Sequence, residues 1–552
     1  MTLFKTILST ALLASLTSNA GCGSVEEPPA EMTPDAATPD APEPALFEVG
    51  TEGTAFPIMQ GTSADFEVRV FRREGITGAV EVTMVGLPSG VTAEPLTIAA
   101  DASSGIMVLH VDATAPHSLP TQVAIRGTIG TAAAQSEISV TVIGPPGSLD
   151  TSFAGGRVML GPGGSDDYGY AVAVQADGKV VVAGRSAERL GDFALIRLER
   201  DGQLDLTFGD NGRVLTDFAG KSDEIHAIAL QPDGKIVAAG VTTGATTSND
   251  FALARYLPNG TLDPDFGNGG KVMTVLGNDS DNANALVLQA DGKIVVGGDS
   301  NRGASQTGVD FALVRYLPSG ALDTGFGDQG ISFTAINANG ARDSIYALAL
   351  QTIQGEERIL AAGGEGDFSV VRYDGDGFID NTFNFDSGML SNIFGSTIGA
   401  ARAITLTPSG SIVLAGQVQN DVALVQLDDS GHLDPLFGTG GKVITKISTT
   451  NWDAAQAVTI DSLGKIVVAG WVYEGASSAG NFALLRYLTD GTLDPAFGGT
   501  GIVVTAIAAG TKSDQGMAVA IQNDERVPTH RIIVAGSANN TNSDFAIARF
   551  WR

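Results

Sequence analysis

The chain has 552 residues, with 62 Asp and Glu against 32 Lys and Arg, for a formal net charge of −30. That balance argues against nucleic acid or an anionic membrane surface as partner, because either calls for a basic patch. Charged residues make up only 17% and glycines number 71, which fits an all-β chain rich in turns.

The N-terminus reads as an export signal over residues 1–21. Lys5 supplies the positive flank, and Ile7–Leu16 form an apolar run too short to span a bilayer. Cys22 follows in Ser-Asn-Ala-Gly-Cys and is the only cysteine, so no internal disulfide can form. The pattern is that of a bacterial lipobox, in which the thiol is acylated after cleavage. Asn19 stands where that pattern usually has Leu, and plain cleavage after Ala20 is the alternative. The expectation is a lipid-anchored protein of the bacterial outer membrane or cell surface. Residues 22–45 are Pro, Ala, Asp and Glu with Thr-Pro-Asp twice. Too little apolar area is available there to offset ordering entropy, so the segment reads as an extended linker.

Residues 46–143 read as a β-sandwich. Phe66/Val68/Val70, Val80/Val82, Met107/Leu109/Val111 and Val140/Val142 alternate with mostly polar or charged neighbours, giving strands with one buried face. Gly-Leu-Pro-Ser-Gly-Val (Gly86–Val91) followed by Glu94-Pro95 resembles the turn segment of bacterial immunoglobulin-like modules. Gly144-Pro145-Pro146-Gly147 then forms a stiff joint.

From Gly147 onward a module of roughly 58 residues recurs, opening at Gly147, Gly202, Gly260, Gly320, Gly377, Gly431 and Gly491. In the second copy the apolar runs are Gly212–Thr216, Ala227–Leu230, Lys235–Gly240 and Phe251–Tyr256. Gln-Pro-Asp-Gly between the second and third is a hairpin turn. Four antiparallel strands per copy, seven times over, is the arithmetic of a seven-bladed β-propeller spanning 147–552. The Ala227–Leu230 run, with alternating alanines, suits the crowded inner strand a; strands b, c and d follow outward. Leu-Asp-x-x-Phe ends at Phe153, Phe208, Phe266, Phe326, Phe437 and Phe497, with Ile replacing Leu before Phe383. Together with Q-x-D-G-K-I-V-V-A-G and D-F-A-L-x-R-Y, this resembles the delta-60 repeat family of bacterial β-propellers, which implies the fold and little about activity.

The single strand Arg157–Leu160 precedes the first strand a, and the last module stops at strand c. Closure therefore requires Arg157–Leu160 to become the outer strand of the last sheet. Strand c ends in Arg197, Arg255, Arg315, Arg372, Arg486 or Arg549; these are expected to bridge to the LDxxF aspartates, as Arg255 to Asp263. On the opposite face, Asp167, Asp223, Asp281, Asp343, Asp453 and Asp514 precede strand a, with Gly399 breaking the series. Each reads as tying its own turn through backbone N–H groups; the alternative is a Ca²⁺ site.

The five histidines fall at unrelated module positions or outside the repeats, and no zinc spacing, nucleophile elbow or phosphate loop is present. The leading expectation is a non-catalytic, monomeric binder of a glycan or protein, with no resident cofactor. A propeller hydrolase or lyase acting on a polysaccharide and a structural envelope component are the alternatives. Trp452, Trp471 and Tyr473 are expected to project from loops of the sixth blade as the contact patch, since Trp suits sugar stacking and partner anchoring.

Overall fold

In each repeat, short apolar runs are cut by glycines whose backbone conformation ends one strand and starts the next. At the turn after Ala227–Leu230, Gly234 sits at φ +83° and its N–H returns to the Gln231 carbonyl at 2.9 Å. That left-handed conformation favours glycine. The computed structural model describes residues 46–552 apart from 163–165, 189–190, 219, 244–248, 278, 302–307, 337–341, 365, 367, 396–397, 449–451, 475–478, 509–512, 524–529 and 540–541. The expected signal peptide, Cys22 and linker lie outside the described residues.

The protein is all-β, with a single three-residue 3-10 turn at Ala154–Gly156 among the described residues. Residues 47–143 form two sheets. One contains Phe47–Gly50, Ser63–Arg72, Ser104–Val111 and Val91–Ala93. The other runs Ala55–Met59, Ala132–Ile143, Thr121–Ile129, Val80–Val85 and Leu96–Ile98, with its first pair parallel. Both inner faces bury one core that includes Val68, Val82, Met107, Val123 and Val140. The alternation read from the sequence thus marks the inward side.

Seven four-stranded antiparallel sheets follow among the described residues. Each takes strands a, b and c from one repeat and strand d from the next. Sheet two, for example, orders Asp223–Leu230, Ile236–Thr242, Asp250–Tyr256 and Lys271–Thr274. Strands b and c of this sheet are buried along their whole length, because neighbouring sheets cover both faces. Val237, Ala239, Phe251 and Leu253 of sheet two meet Ile294, Val296, Ala312 and Val314 of sheet three in one apolar cluster. The first sheet packs on the last in the same way, with Val180, Val182, Ala194 and Ile196 against Ile533, Ala535, Phe545 and Ile547.

Arg157–Leu160 pairs antiparallel with Ser543–Trp551 at the outside of the last sheet, Leu160 opposite Phe545. The strand expected to close the repeat does so. Beside it, the Gly147 N–H donates to the Trp551 carbonyl at 2.8 Å, and the Gly498 N–H donates to Pro146 at 3.0 Å. The indole Nε1–H of Trp551 donates to Nδ1 of His117 in the sandwich region, 3.1 Å away. The Gly-Pro-Pro-Gly joint is thereby tied on both sides.

Adjacent repeats are latched by the recurring motifs. Arg255 Nε donates to Asp263 at 2.7 Å, and its guanidinium lies 4.6 Å from the centre of the Phe266 ring. The same arginine donates to the Pro318 carbonyl of the next turn at 2.5 Å. The Gly267 N–H reaches Ser319 there at 2.8 Å. Asp150 accepts from both Arg531 and Arg549, at 2.7 and 2.8 Å, so the latch also joins the first repeat to the last. In the fifth repeat Gln426 replaces the arginine and donates to Asp434 of the sixth at 2.9 Å.

Candidate functional site

The innermost strands all carry a β-bulge at one position. Their register shifts between Gly169 and Ala171, Ile225 and Ala227, Ala283 and Ala285, Ile345 and Ala347, Ala401 and Ala403, Ala455 and Ala457, and Gly516 and Ala518. The cause is legible in strand b. Opposite each bulge stands a glycine, as Gly184, Gly240, Gly298 or Gly470, and a Cβ there would overlap the carbonyl oxygen of Tyr168, Glu224, Asn282 or Ala454. The missing side chain lets the bulged backbone press inward, and a bulge re-aims the residue it carries.

The re-aimed residues are Tyr170, His226, Asn284, Tyr346, Arg402, Gln456 and Met517. With the two residues after each of them, they line one cavity of about 230 Å³ on the axis of the seven sheets. All seven are half-buried, so solvent reaches them. Their neighbours in the repeat are near-constant Ala, Val, Leu and Ile; these seven differ almost throughout. Larger hollows of about 660 and 460 Å³ lie against outer strands, the first at Leu204 and Arg213, the second at Phe394 and Lys442. Those are grooves among repeated packing positions, whereas the axial cavity gathers the individual ones.

One side of the ring is a closed polar cluster. The Tyr170 and His226 rings meet edge to face at 5.9 Å. Nδ1 of His226 lies 2.8 Å from the Ala283 carbonyl and must carry a proton to bond it; Nε2 faces Glu224 at 3.8 Å. Burial opposes the imidazolium, but Glu224 and that carbonyl outweigh it and hold His226 above the usual histidine range. Burial also opposes the Glu224 carboxylate; bonds from His226 and Tyr170 and the charge of Arg185 prevail and keep it low. Burial, then the Glu224 charge, pushes the Tyr170 phenol far up. On the other side, the Arg402 guanidinium carbon lies 4.0 Å from the centre of the Tyr346 ring. Its Nε is buried and makes no hydrogen bond among the described residues.

The expected acidic series is present, and most members bind the loop before them. Asp223 accepts from the Phe218 N–H at 2.8 Å and from the Thr242 hydroxyl. Asp281 accepts from Leu276 and Gly277, Asp343 from Ile336, Asp453 from Ile447 and Ser448, and Asp514 from Ile507 and Ala508. Asp167 accepts from the Ala187 N–H at 3.2 Å, on strand b's side. The turn-tying geometry is therefore formed in sheet after sheet. Burial and the neighbouring Asp217 and Asp192 charges raise Asp223 to about 6, against the pull of its hydrogen bonds. Asp192, Asp217 and Asp223 have carboxylate oxygens within 4.8 Å of one another, a donor set of the kind a hard cation takes.

Trp471 and Tyr473 do not sit on a loop as the sequence suggested. Strands b and c of the sixth sheet extend to Glu474 and begin at Ala479, so Trp471 pairs with Ala454 and Phe482 in the ladder. Val and Tyr around Trp471 have the β propensity to carry the strand past the usual end. The Trp471 and Tyr473 rings touch at 4.8 Å and are half-buried. Trp452 is 54% exposed, and its carbonyl accepts from the Tyr473 N–H at 3.0 Å. The three are brought to one edge of one sheet.

Fold and site together define an all-β repeat protein of propeller type. The family described as "Domain of unknown function (DUF5122) beta-propeller" matches residues 175–208, 231–266, 289–326, 358–383, 464–497 and 530–552. Five of these stretches run to an LDxxF-type phenylalanine; the hairpin leading to Gln426 is not matched. No curated protein matches the sequence. Among solved structures, a tail fibre of Staphylococcus aureus phage P68 is 9% identical over 59% of this chain, with a TM-score of 0.28. The chain spans 50% of that tail fibre's length. A DUF4784 family protein from Bacteroides caccae is 10% identical over 90% of this chain and 93% of its own, at TM-score 0.21. Domains 5-6 of the S-layer protein SbsC are 13% identical over 42% of this chain and 96% of their own, at 0.14. At these TM-scores the likenesses carry no argument about function.

Proposed function

We propose that the chain is a non-catalytic ligand-binding protein of the bacterial envelope. In this reading, Cys22 carries a lipid anchor, residues 22–45 are a stalk, and residues 46–143 form an immunoglobulin-like spacer. Residues 147–552 form a closed seven-bladed propeller that binds its ligand at the axial cavity. The observation that carries this reading is the ring of seven bulges. A fold that repeats its packing residues closely varies the one residue per sheet that faces a common solvent-reached space. Packing would favour repetition there; recognition of an asymmetric ligand favours difference. Among the described residues lining the cavity there is no Asp or Glu, whereas a two-carboxylate glycosidase needs a pair of them. Glu224, close by, is committed to Tyr170, His226 and Arg185.

The exposed Trp452 beside the Trp471–Tyr473 pair supports a second reading, in which the sixth sheet's edge is the contact patch. One experiment separates them. The full chain is screened against envelope glycans and peptides, and hits are remeasured with Met517→Trp, which fills the cavity, and with Trp452→Ala plus Trp471→Ala. Axial binding predicts at least a tenfold loss with Met517→Trp, an unchanged melting temperature, and little effect of the tryptophan changes. The reverse pattern would move the site to the edge. Release of a shortened or altered ligand would refute the non-catalytic assignment.

A further inference from the structure

The two sides of the axial ring differ in what they still lack. Glu224 is already surrounded by His226, Tyr170 and Arg185, so a ligand cation has nothing to add there. Arg402 is the opposite case. Its guanidinium carbon lies 4.0 Å from the centre of the Tyr346 ring, a cation–π contact that holds it beside the cavity. Arg402 lines the cavity, and among the described residues no carboxylate does. A carboxylate is the group whose two oxygens match a guanidinium's donor fork.

The remaining lining narrows the ligand. Gln456 stands on the next sheet beside Arg402, and Asn284 on the sheet before Tyr346; both amides can exchange hydrogen bonds with hydroxyls. Asn284 already donates to the Ile345 carbonyl at 2.9 Å, which fixes its orientation. A volume of about 230 Å³ lies below the roughly 300–1,000 Å³ of sites for drug-sized ligands; it accommodates one ring, and the rest of a chain would lie outside it. Capture of a peptide C-terminus relies on backbone N–H nests, whereas here side chains of seven antiparallel strands line the cavity.

Resting on the axial reading above, we propose that the cavity takes a single uronate residue of an acidic glycan. Its carboxylate lies on Arg402 over Tyr346, and its hydroxyls lie against Gln456 and Asn284. With a net charge of −30 on the chain, long-range attraction cannot draw such a ligand in, so preference for the acid depends on this one local contact.

The test is isothermal titration of the full chain with glucuronate and galacturonate monomers and short oligomers. Their methyl esters, the matching neutral hexoses and a short peptide with a free C-terminus complete the panel. The expected result is uronate binding that weakens roughly 10- to 100-fold in the ester and the neutral sugar, the range of a charge-assisted hydrogen bond. Arg402→Gln should erase the difference between acid and ester, Arg402→Lys should restore part of it, and neither should move the melting temperature by much. Failure of every uronate to bind, equal binding of acid and ester, or binding of the peptide in their place would overturn the proposal. Neutral-sugar binding that Met517→Trp abolishes would overturn the uronate class and leave the axial site standing. Uronate binding that survives Met517→Trp but is lost in Trp452→Ala would overturn both.

Discussion

Two sets of aspartates with the same side chain have opposite electrostatics, and their sum sets the response to acid. In the LDxxF latch, burial works against Asp263 and Asp494, but hydrogen bonds and the charges of Arg255, Lys235, Arg486 and Lys465 prevail and depress both. Their stabilisation is present above the ordinary carboxylate range and is lost as pH falls below about 4. The turn-tying Asp223, raised to about 6, acts with the other sign. Above pH 6 its buried charge opposes folding; as pH falls through 6 the folded chain takes up a proton the unfolded chain does not, and stability rises. Burial raises Asp281, Asp453, Asp514 and Asp544 in the same direction. Urea midpoints measured from pH 8 to 3 should therefore peak near pH 5. Asp223→Asn should flatten part of the rise between pH 7 and 5 while leaving the acid limb unchanged. A monotonic fall from pH 8 downward would contradict this division of roles.

At the scale of the element, the bulge in strand a and the glycine in strand b are one device. Gly240 has an ordinary backbone conformation, so its need is steric: the Glu224 carbonyl occupies the place of a Cβ. Gly240→Ala must shift that carbonyl or straighten the bulge and withdraw His226 from the axis. The expected cost is about 1–3 kcal/mol, the range of overpacking in a close-packed interior, read as a lowered urea midpoint. The same change should alter the His226 imidazole titration followed by NMR, since its Ala283 bond depends on the bulge. A control at Gly410, whose Cβ would meet nothing within 4 Å but whose φ is +89°, separates steric overlap from turn strain. The control should lower stability without touching the His226 titration.

For the whole molecule, the strand at Arg157–Leu160 and the Asp150 pairs with Arg531 and Arg549 join the first repeat to the last sheet. Edge strands invite wrong pairing, and closure removes the edge. The proposed lipid anchor has its own test: wild-type protein should partition into detergent and Cys22→Ser into the aqueous phase, since an acyl chain needs an apolar medium. Equal partitioning of the two would leave only secretion.

The repeat itself announced most of the architecture. Alternating alanines located the inner strand, DFALARY the doubly covered strand c, and LDxxF with the strand c arginines the latch, because each is a local pattern whose partner recurs at a fixed spacing. The closing strand was legible by counting. The sandwich core followed from alternation at Phe66, Val68 and Val70. The axial ring was not read, although its signal is present as one variable column, from Tyr170 to Met517, between near-constant neighbours. Its meaning depends on seven strands more than fifty residues apart converging on one line, and on a bulge that turns outward-reading positions inward. His226, which looked unrelated to any pattern, gains its role only there. Trp471 and Tyr473 were misplaced for the converse reason: a run long enough to look like a loop continues as strand once Ala454 and Phe482 pair with it. Sequence determined the strands, their order and the repeated contacts, since those are set by neighbours along the chain. Tertiary structure alone decided which residues share the axis, because that proximity belongs to closure and to no single repeat.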